Sequence, residues 1–212
     1  MAALGVRAQT RHRLNRPPVA RRPGSAWHFT GPAARSVPMT AASFPLPDLP
    51  ALTGAAAAEA DQFLDLAAEQ ARGATCLRSS CGAVVVLDGR VLGVGNNSLP
   101  GGCAPSACLK ETGALGAGFK SDRTCCTHAE VRAIANALKS GCDVRGATVY
   151  FTRVAAGTGE RVVSGRPYCT ICSKFALEVG LAFFVLAHDF GIVAYPAGAY
   201  NDLSFTYGRT DG

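Results

Sequence analysis

The sequence predicts an α/β layered domain, one sheet lying between helices, over residues 51–212. Three observations carry that prediction. Segments of helical and strand periodicity alternate along the chain, the element order of a layered α/β fold. Two valine-bearing runs, Cys81–Leu87 and Val91–Val94, flank Asp88-Gly89, the dipeptide of a two-residue hairpin turn. Gly141 and Gly180 stand where two predicted helices stop, the position a left-handed residue favours.

Residues 1–50 stand apart from that domain. The first 45 residues hold seven arginines and no Asp, Glu or Lys, and prolines from Pro17 to Pro50 interrupt any regular pattern. We read this segment as a disordered tail. It lacks the continuous apolar stretch of a secretory signal. Arg- and Ser-rich, acid-free leaders resemble organelle transit peptides, and Met39 offers an alternative start; a solvated tail without function is the simpler reading. The net charge of +6 is a property of this tail, because residues 46–212 carry 14 basic and 15 acidic groups. Such a domain has no overall basic excess to recommend nucleic acid as a partner. No run of about 18 apolar residues is present, so no membrane partner is expected.

The domain opens with a helix from Ala55, in which Phe63, Leu66, Ala67 and Ala71 recur at helical spacing and Glu59, Asp61, Asp65 and Glu69 supply the wet side. The hairpin follows. Residues 95–124, rich in Gly and Cys, form a long loop of the kind that is usually functional. A helix is predicted over Thr127–Lys139, a strand over Ala147–Thr152, and a Gly-rich loop over 154–167. Then come a third helix, Cys169–Val179, and strands Leu181–Ala187 and Ile192–Tyr195. The ending AYNDLSFTYG concentrates Tyr200, Phe205 and Tyr207. These either cover a pocket and stack on a base or pack as an ordinary C-terminus, which is favoured because aromatics mainly bury area.

Nine cysteines in a domain large enough to build its own core, odd in number and without a signal peptide, point to a reducing compartment. The chain is expected to be cytoplasmic, with an organelle as the alternative if the tail is a transit peptide. Thiols there bind metals, do chemistry or pack. Cys76, Cys81 and Cys142 are read as packing.

The stretch RTCCTHAEVRAIANALKSG begins at Arg123. Thr127 and Glu130 fit a helix capping box, a purely structural pattern. The stretch SGRPYCTICSKFALEVG, residues 164–180, decides for chemistry. Its Cys169 and Cys172, spaced C-x-x-C at a predicted helix start, place two sulfurs on one side of the first turn, where the helix dipole favours thiolate. If the two helix starts face each other, His128, Cys169 and Cys172 are three ligands for a tetrahedral Zn2+. The fourth position is then left to water, as in a catalytic site. Glu130 is not needed as a ligand and can hydrogen-bond that water, whose pKa zinc lowers from about 15.7 to about 7. This is the kit of hydrolytic deamination, and H-x-E followed by P-C-x-x-C is the signature of the zinc nucleobase deaminases.

On those motifs the chain resembles the cytidine and deoxycytidylate deaminase superfamily over residues 55–190, and its deoxycytidylate branch in particular. GNNSLPGGC, Gly95 to Cys103, is similar to that branch's G-Y-N-G-x-P-x-G-C at Gly95, Asn97, Pro100, Gly102 and Cys103. The resemblance implies a three-layer α/β/α sandwich with one mixed sheet of about five strands. It also implies a homo-oligomer, one catalytic zinc, and a small nucleoside or nucleotide as substrate. Asn97 becomes the sugar contact and Ala129 a second substrate-binding residue. Two departures stand out: Tyr168 separates Pro167 from the first cysteine, where it could narrow the pocket, and Ser98 replaces a glycine.

The reading is a zinc deaminase acting on the amino group of a cytosine-type nucleoside or nucleotide. Alternatives are deamination of guanine or of adenosine in tRNA, a catalytically silent deaminase fold that binds a partner, and an RNA-editing enzyme using the Arg-rich tail. A thioredoxin-like pair leaves His128 and Glu130 unexplained. A structural zinc would need a fourth ligand from Cys103, Cys108, Cys125 or Cys126. A second zinc on those cysteines is not expected. Arg166, Lys110 and Lys120 are candidates for a phosphate but read better as solvated surface. His188 is taken as a surface residue or an outer neighbour of the site, and His12 and His28 fall in the tail.

Overall fold

The structure is a computed structural model that describes residues 49–104, 106–108 and 125–206; the expectations for residues 1–48, Lys110, Lys120 and Tyr207 lie outside them. Helix α1 (Gly54–Arg72) buries Ala60, Leu64, Ala67, Ala68 and Ala71 at helical spacing. Leu66, expected on that stripe, is 37% exposed. It lies about 200° around the helix from Leu64, which takes the core position instead.

Strands β1 (Ser80–Leu87) and β2 (Arg90–Asn96) form the predicted hairpin, closing at the Leu87–Arg90 pair. Asp88 and Gly89 have φ of 50° and 72°, the two left-handed residues of a type I′ turn. Beyond β2 a short 3-10 turn covers Pro100–Gly102. Then follow α2 (Ala129–Lys139), β3 (Thr148–Val154), β4 (Arg161–Val162), α3 (Thr170–Glu178), β5 (Phe183–His188), β6 (Gly191–Pro196) and α4 (Ala197–Thr206).

The sheet runs β2-β1-β3-β5-β6, with β4 paired to β3. Only β3 and β5 are parallel, so the sheet is mixed. The sixth strand is the two-residue β4, which lies within the predicted Gly-rich loop. It pairs with Arg153 and Val154 beyond the point where β3 pairs with β5, and Ser164 N–H donates to Ala187 O at 2.7 Å. The chain therefore runs alongside the carboxyl-terminal residues of the two parallel strands, at the end of the sheet where open α/β folds place their ligands.

Alternate residues of β1 face opposite layers. Val84 and Val86 pack on Ala67 and Phe63 of α1, while Ala83 and Val85 join Ala133, Ile134, Ala176 and Leu203 from α2, α3 and α4. Glycine brings the layers close. A Cβ on Gly82 would overlap backbone atoms of Ala67 and Ala71 on α1, and one on Gly95 would stand 2.5 Å from Ala133 N on α2. The result is a three-layer α/β/α sandwich. The last described segment is the helix α4, in which Tyr200 is buried and stacked on Phe184 at 4.0 Å, as the packed alternative anticipated, whereas Phe205 is 46% exposed. No helix among the described residues is long and apolar enough to cross a membrane.

Candidate active site

Helix α2 begins one residue later than a Thr127 cap would require. His128 occupies the N-cap with φ −68° and ψ 152° and makes no side-chain capping bond. Thr127 is drawn into an isolated bridge with Ser98, its N–H donating to Ser98 O at 2.9 Å. The capping box is therefore not formed. Extended backbone at position 128 instead lets the imidazole project beyond the helix end. Helix α3 repeats the arrangement with Cys169 at its N-cap, and here the side chain does cap: Cys172 N–H donates to Cys169 Sγ at 3.3 Å.

The two helix starts meet. His128 Nδ1 lies 3.1 Å from Cys169 Sγ and 3.3 Å from Cys172 Sγ. Among the described residues these three form the cluster able to hold a metal, their ligand atoms all within 4.8 Å of one another. Zinc bonds of ~2.0 Å to nitrogen and ~2.3 Å to sulfur give tetrahedral N–S edges of about 3.5 Å. The observed separations fall a few tenths of an ångström short of that. One nitrogen and two sulfurs, both cysteines buried, fit zinc in chemistry as well as spacing.

Glu130, in the first turn of α2, is 4% exposed. Burial raises its pKa, opposed by the nearby His128 imidazole, and its carboxyl hydrogen-bonds the Cys172 thiol. The carboxyl therefore borders the ligand cluster without belonging to it. The three side chains polarise one another. A hydrogen bond from the Cys172 thiol, reinforced by His128, holds Cys169 down to about 4. Its hydrogen bond to Cys169 lifts His128 to about 9, and burial pushes Cys172 well above an ordinary thiol.

The profile of the cytidine and deoxycytidylate deaminase zinc-binding region matches residues 57–188. This chain is a member of that family. Among curated relatives, the deoxycytidylate deaminase of Mycobacterium phage D29 is 37% identical over 118 residues, covering 49% of this chain and 91% of the relative. Solved structures similar to this family member include dCMP deaminase from the cyanophage S-TIM5 in complex with dCMP and dUMP. That likeness has 22% identity, a TM-score of 0.42, and coverage of 58% of this chain and 76% of the other. Cytidine deaminase from Mycobacterium tuberculosis is 18% identical over 65% of this chain and 89% of its own, with a TM-score of 0.40.

The other residues that the sequence singled out are placed as follows. Asn97 is 6% exposed and anchors its loop to the entrance of β1: Cys81 N–H donates to Oδ1 at 2.8 Å, and Nδ2 donates to Ser79 O at 2.8 Å. Ala129 is fully buried at the start of α2. Tyr168 is 42% exposed, while its backbone amide hydrogen-bonds the hydroxyl of the buried Tyr200. Arg166 is exposed. His188 bonds the Tyr195 hydroxyl at 2.9 Å and stacks on Phe190, apart from the metal cluster. Cys81 and Cys142 pack against the main core as expected, whereas Cys76 hydrogen-bonds the Cys126 thiol. Sequence reasoning passed over Arg132, and it named Tyr200 among the C-terminal aromatics without its bond to Tyr168. Arg132 lies four residues beyond His128, a spacing that signals a shared helix face.

Proposed function

We propose that this chain is a zinc-dependent hydrolytic deaminase converting the amino group of a cytosine-type nucleoside or nucleotide to a carbonyl, with release of ammonia. The observation that carries the proposal is the convergence of His128, Cys169 and Cys172 from two helix starts, with the Glu130 carboxyl against Cys172. Membership of the deaminase family supports it.

His128, Cys169 and Cys172 would hold the zinc, which supplies Lewis acidity that makes water a nucleophile near neutral pH. Glu130 moves the protons. Its buried carboxyl, with a raised pKa, suits a group that must accept a proton and return it within one turnover. It would receive one proton of the attacking water and deliver it to the ring nitrogen beside the amino-bearing carbon. It would then take the proton of the newly added hydroxyl and pass it to the amino group, which leaves as ammonia as the C–N bond breaks and that oxygen becomes the carbonyl. The Ala129 amide at the start of α2 has no intrahelical acceptor and can donate to a substrate oxygen, while the Glu130 amide bonds its own carboxyl. The Asn97 amide donates to Ser79 and accepts from Cys81, so the second lone pair of Oδ1 is what it offers a sugar hydroxyl. The same reading makes the protein a cytoplasmic homo-oligomer with a small-molecule substrate.

The test is a panel of cytidine, deoxycytidine, their monophosphates, cytosine, guanine and adenosine, scored for ammonia with the native protein and with Glu130→Gln. A cytosine compound should react, and Glu130→Gln should keep its zinc while losing about 10²–10⁴-fold in rate, the usual contribution of a general acid–base. Ammonia from guanine or adenosine alone would assign a different base. Ammonia from none would favour a binding protein.

A further inference from the structure

Three backbone carbonyls converge on one side chain beside the site. Arg132 Nε donates to Asn96 O at 3.0 Å, and its Nη2 donates to Ser98 O at 3.0 Å and to Leu99 O at 2.9 Å. Strand β2 ends at Asn96, so these oxygens belong to a chain leaving the sheet and losing its ladder partners. A guanidinium presents several N–H groups in a rigid planar fork and can take three acceptors at once; a lysine ammonium is a single mobile point.

The placement of the fork gives it meaning. Arg132 lies one helical turn beyond His128, its N–H donating to His128 O at 3.1 Å, so the clamp rises from the same helix start as the first metal ligand. Gly95 allows β2 to lie against this turn, since a Cβ there would stand 2.6 Å from Ala129 O and 2.9 Å from Arg132 Cβ. The bridge between Ser98 and Thr127 ties the same loop to the residue before His128. On its other side the loop is pinned by the Asn97 amide to Ser79 and Cys81. The segment is thus held from the sheet by Asn97 and from the metal-bearing helix by Arg132.

We propose that Arg132 is a substrate-positioning residue: it fixes the Asn96–Leu99 loop, with Asn97 on it, at a set distance from Glu130 and the ligand-bearing end of α2. The proposal rests on the deaminase reading for its kinetic consequence and on the three hydrogen bonds alone for its structural one.

Arg132→Met keeps the apolar stem and removes the donors; Arg132→Lys keeps the charge without the fork. Asn136→Ala is the control, because Asn136 Nδ2 donates to Val94 O at 2.9 Å and so ties α2 to β2 away from the loop. In Arg132→Met, KM should rise about tenfold or more with kcat within about threefold and zinc per chain unchanged, the pattern of lost substrate placement rather than lost chemistry. Arg132→Lys should recover only part of that, and Asn136→Ala should match the native protein. Amide exchange over residues 97–99 should quicken about tenfold or more in Arg132→Met while residues 133–137 keep their protection. An unchanged KM with unchanged exchange overturns the proposal, as does a joint fall in kcat, zinc content and protection across α2. If Arg132→Met does not fold, Arg132→Lys decides by the same readouts. A native protein that releases no ammonia refutes the deaminase reading, and the exchange experiment still judges the clamp.

Discussion

A carboxyl as buried as Glu130 would ordinarily be a liability, because taking its charge out of water costs several kcal/mol unless partners compensate. Here the partners are the groups the proposed chemistry uses: the His128 imidazole favours the carboxylate, and the Cys172 thiol hydrogen-bonds it. Tyr200 is a quieter participant. Its ring stacks on Phe184, and its hydroxyl meets the backbone amide of Tyr168, the residue directly before Cys169. That hydroxyl therefore steadies the turn that presents the first thiol. Tyr200→Phe keeps the ring packing and removes the hydroxyl's hydrogen bond to that amide. We expect stability to fall by about 1 kcal/mol and zinc affinity to fall about tenfold, the low end for groups that orient a ligand. Chemical denaturation and chelator competition measure the two quantities. Unchanged values in both would mean that the hydroxyl is idle.

At the scale of elements, glycine sets the spacing of the layers. A Cβ on Gly82 would meet the Ala67 carbonyl oxygen and the Ala71 amide nitrogen, which are backbone atoms that no rotamer change can move aside. Gly82→Ala should therefore displace α1 and cost about 3 kcal/mol, the upper range for overpacking a core. Urea denaturation would show it, and a loss below ~0.5 kcal/mol would mean that the helix slides freely over the sheet. The hairpin was legible because Asp-Gly is a local signal, and the Asp88-Gly89 turn forms as read. Strand β4 was not legible. Two residues carry no periodicity, and β4 exists because the edge of β3 is free beyond its pairing with β5. Helix α4 was hidden for another reason. Gly198, Asn201, Asp202 and Thr206 are poor helix formers, and the helix is held by tertiary bonds from Ser173 Oγ to Asn201 Oδ1 at 2.9 Å and to Ser204 Oγ at 3.3 Å. The Thr127 cap failed because a long-range bridge to Ser98 outweighed a local preference.

At the scale of the whole molecule, the site exists only where separate parts of the chain arrive together. His128 is 41 and 44 residues from its two sulfur partners, and nothing local announces that they meet. What made them legible was completeness of chemistry, since one histidine and two cysteines make up the protein ligand set expected of an open zinc site and Glu130 is the carboxylate such a site would need. Arg132 escaped because its partners are backbone carbonyls, which any sequence supplies. The central claim is that these three residues hold one zinc with a position left for solvent. X-ray absorption at the zinc edge, on the full chain reconstituted with one equivalent of metal, tests it most directly. Two sulfurs at about 2.3 Å and two lighter nitrogen or oxygen neighbours at about 2.0–2.1 Å are expected. A third or fourth sulfur in the shell would close the open position and contradict the claim.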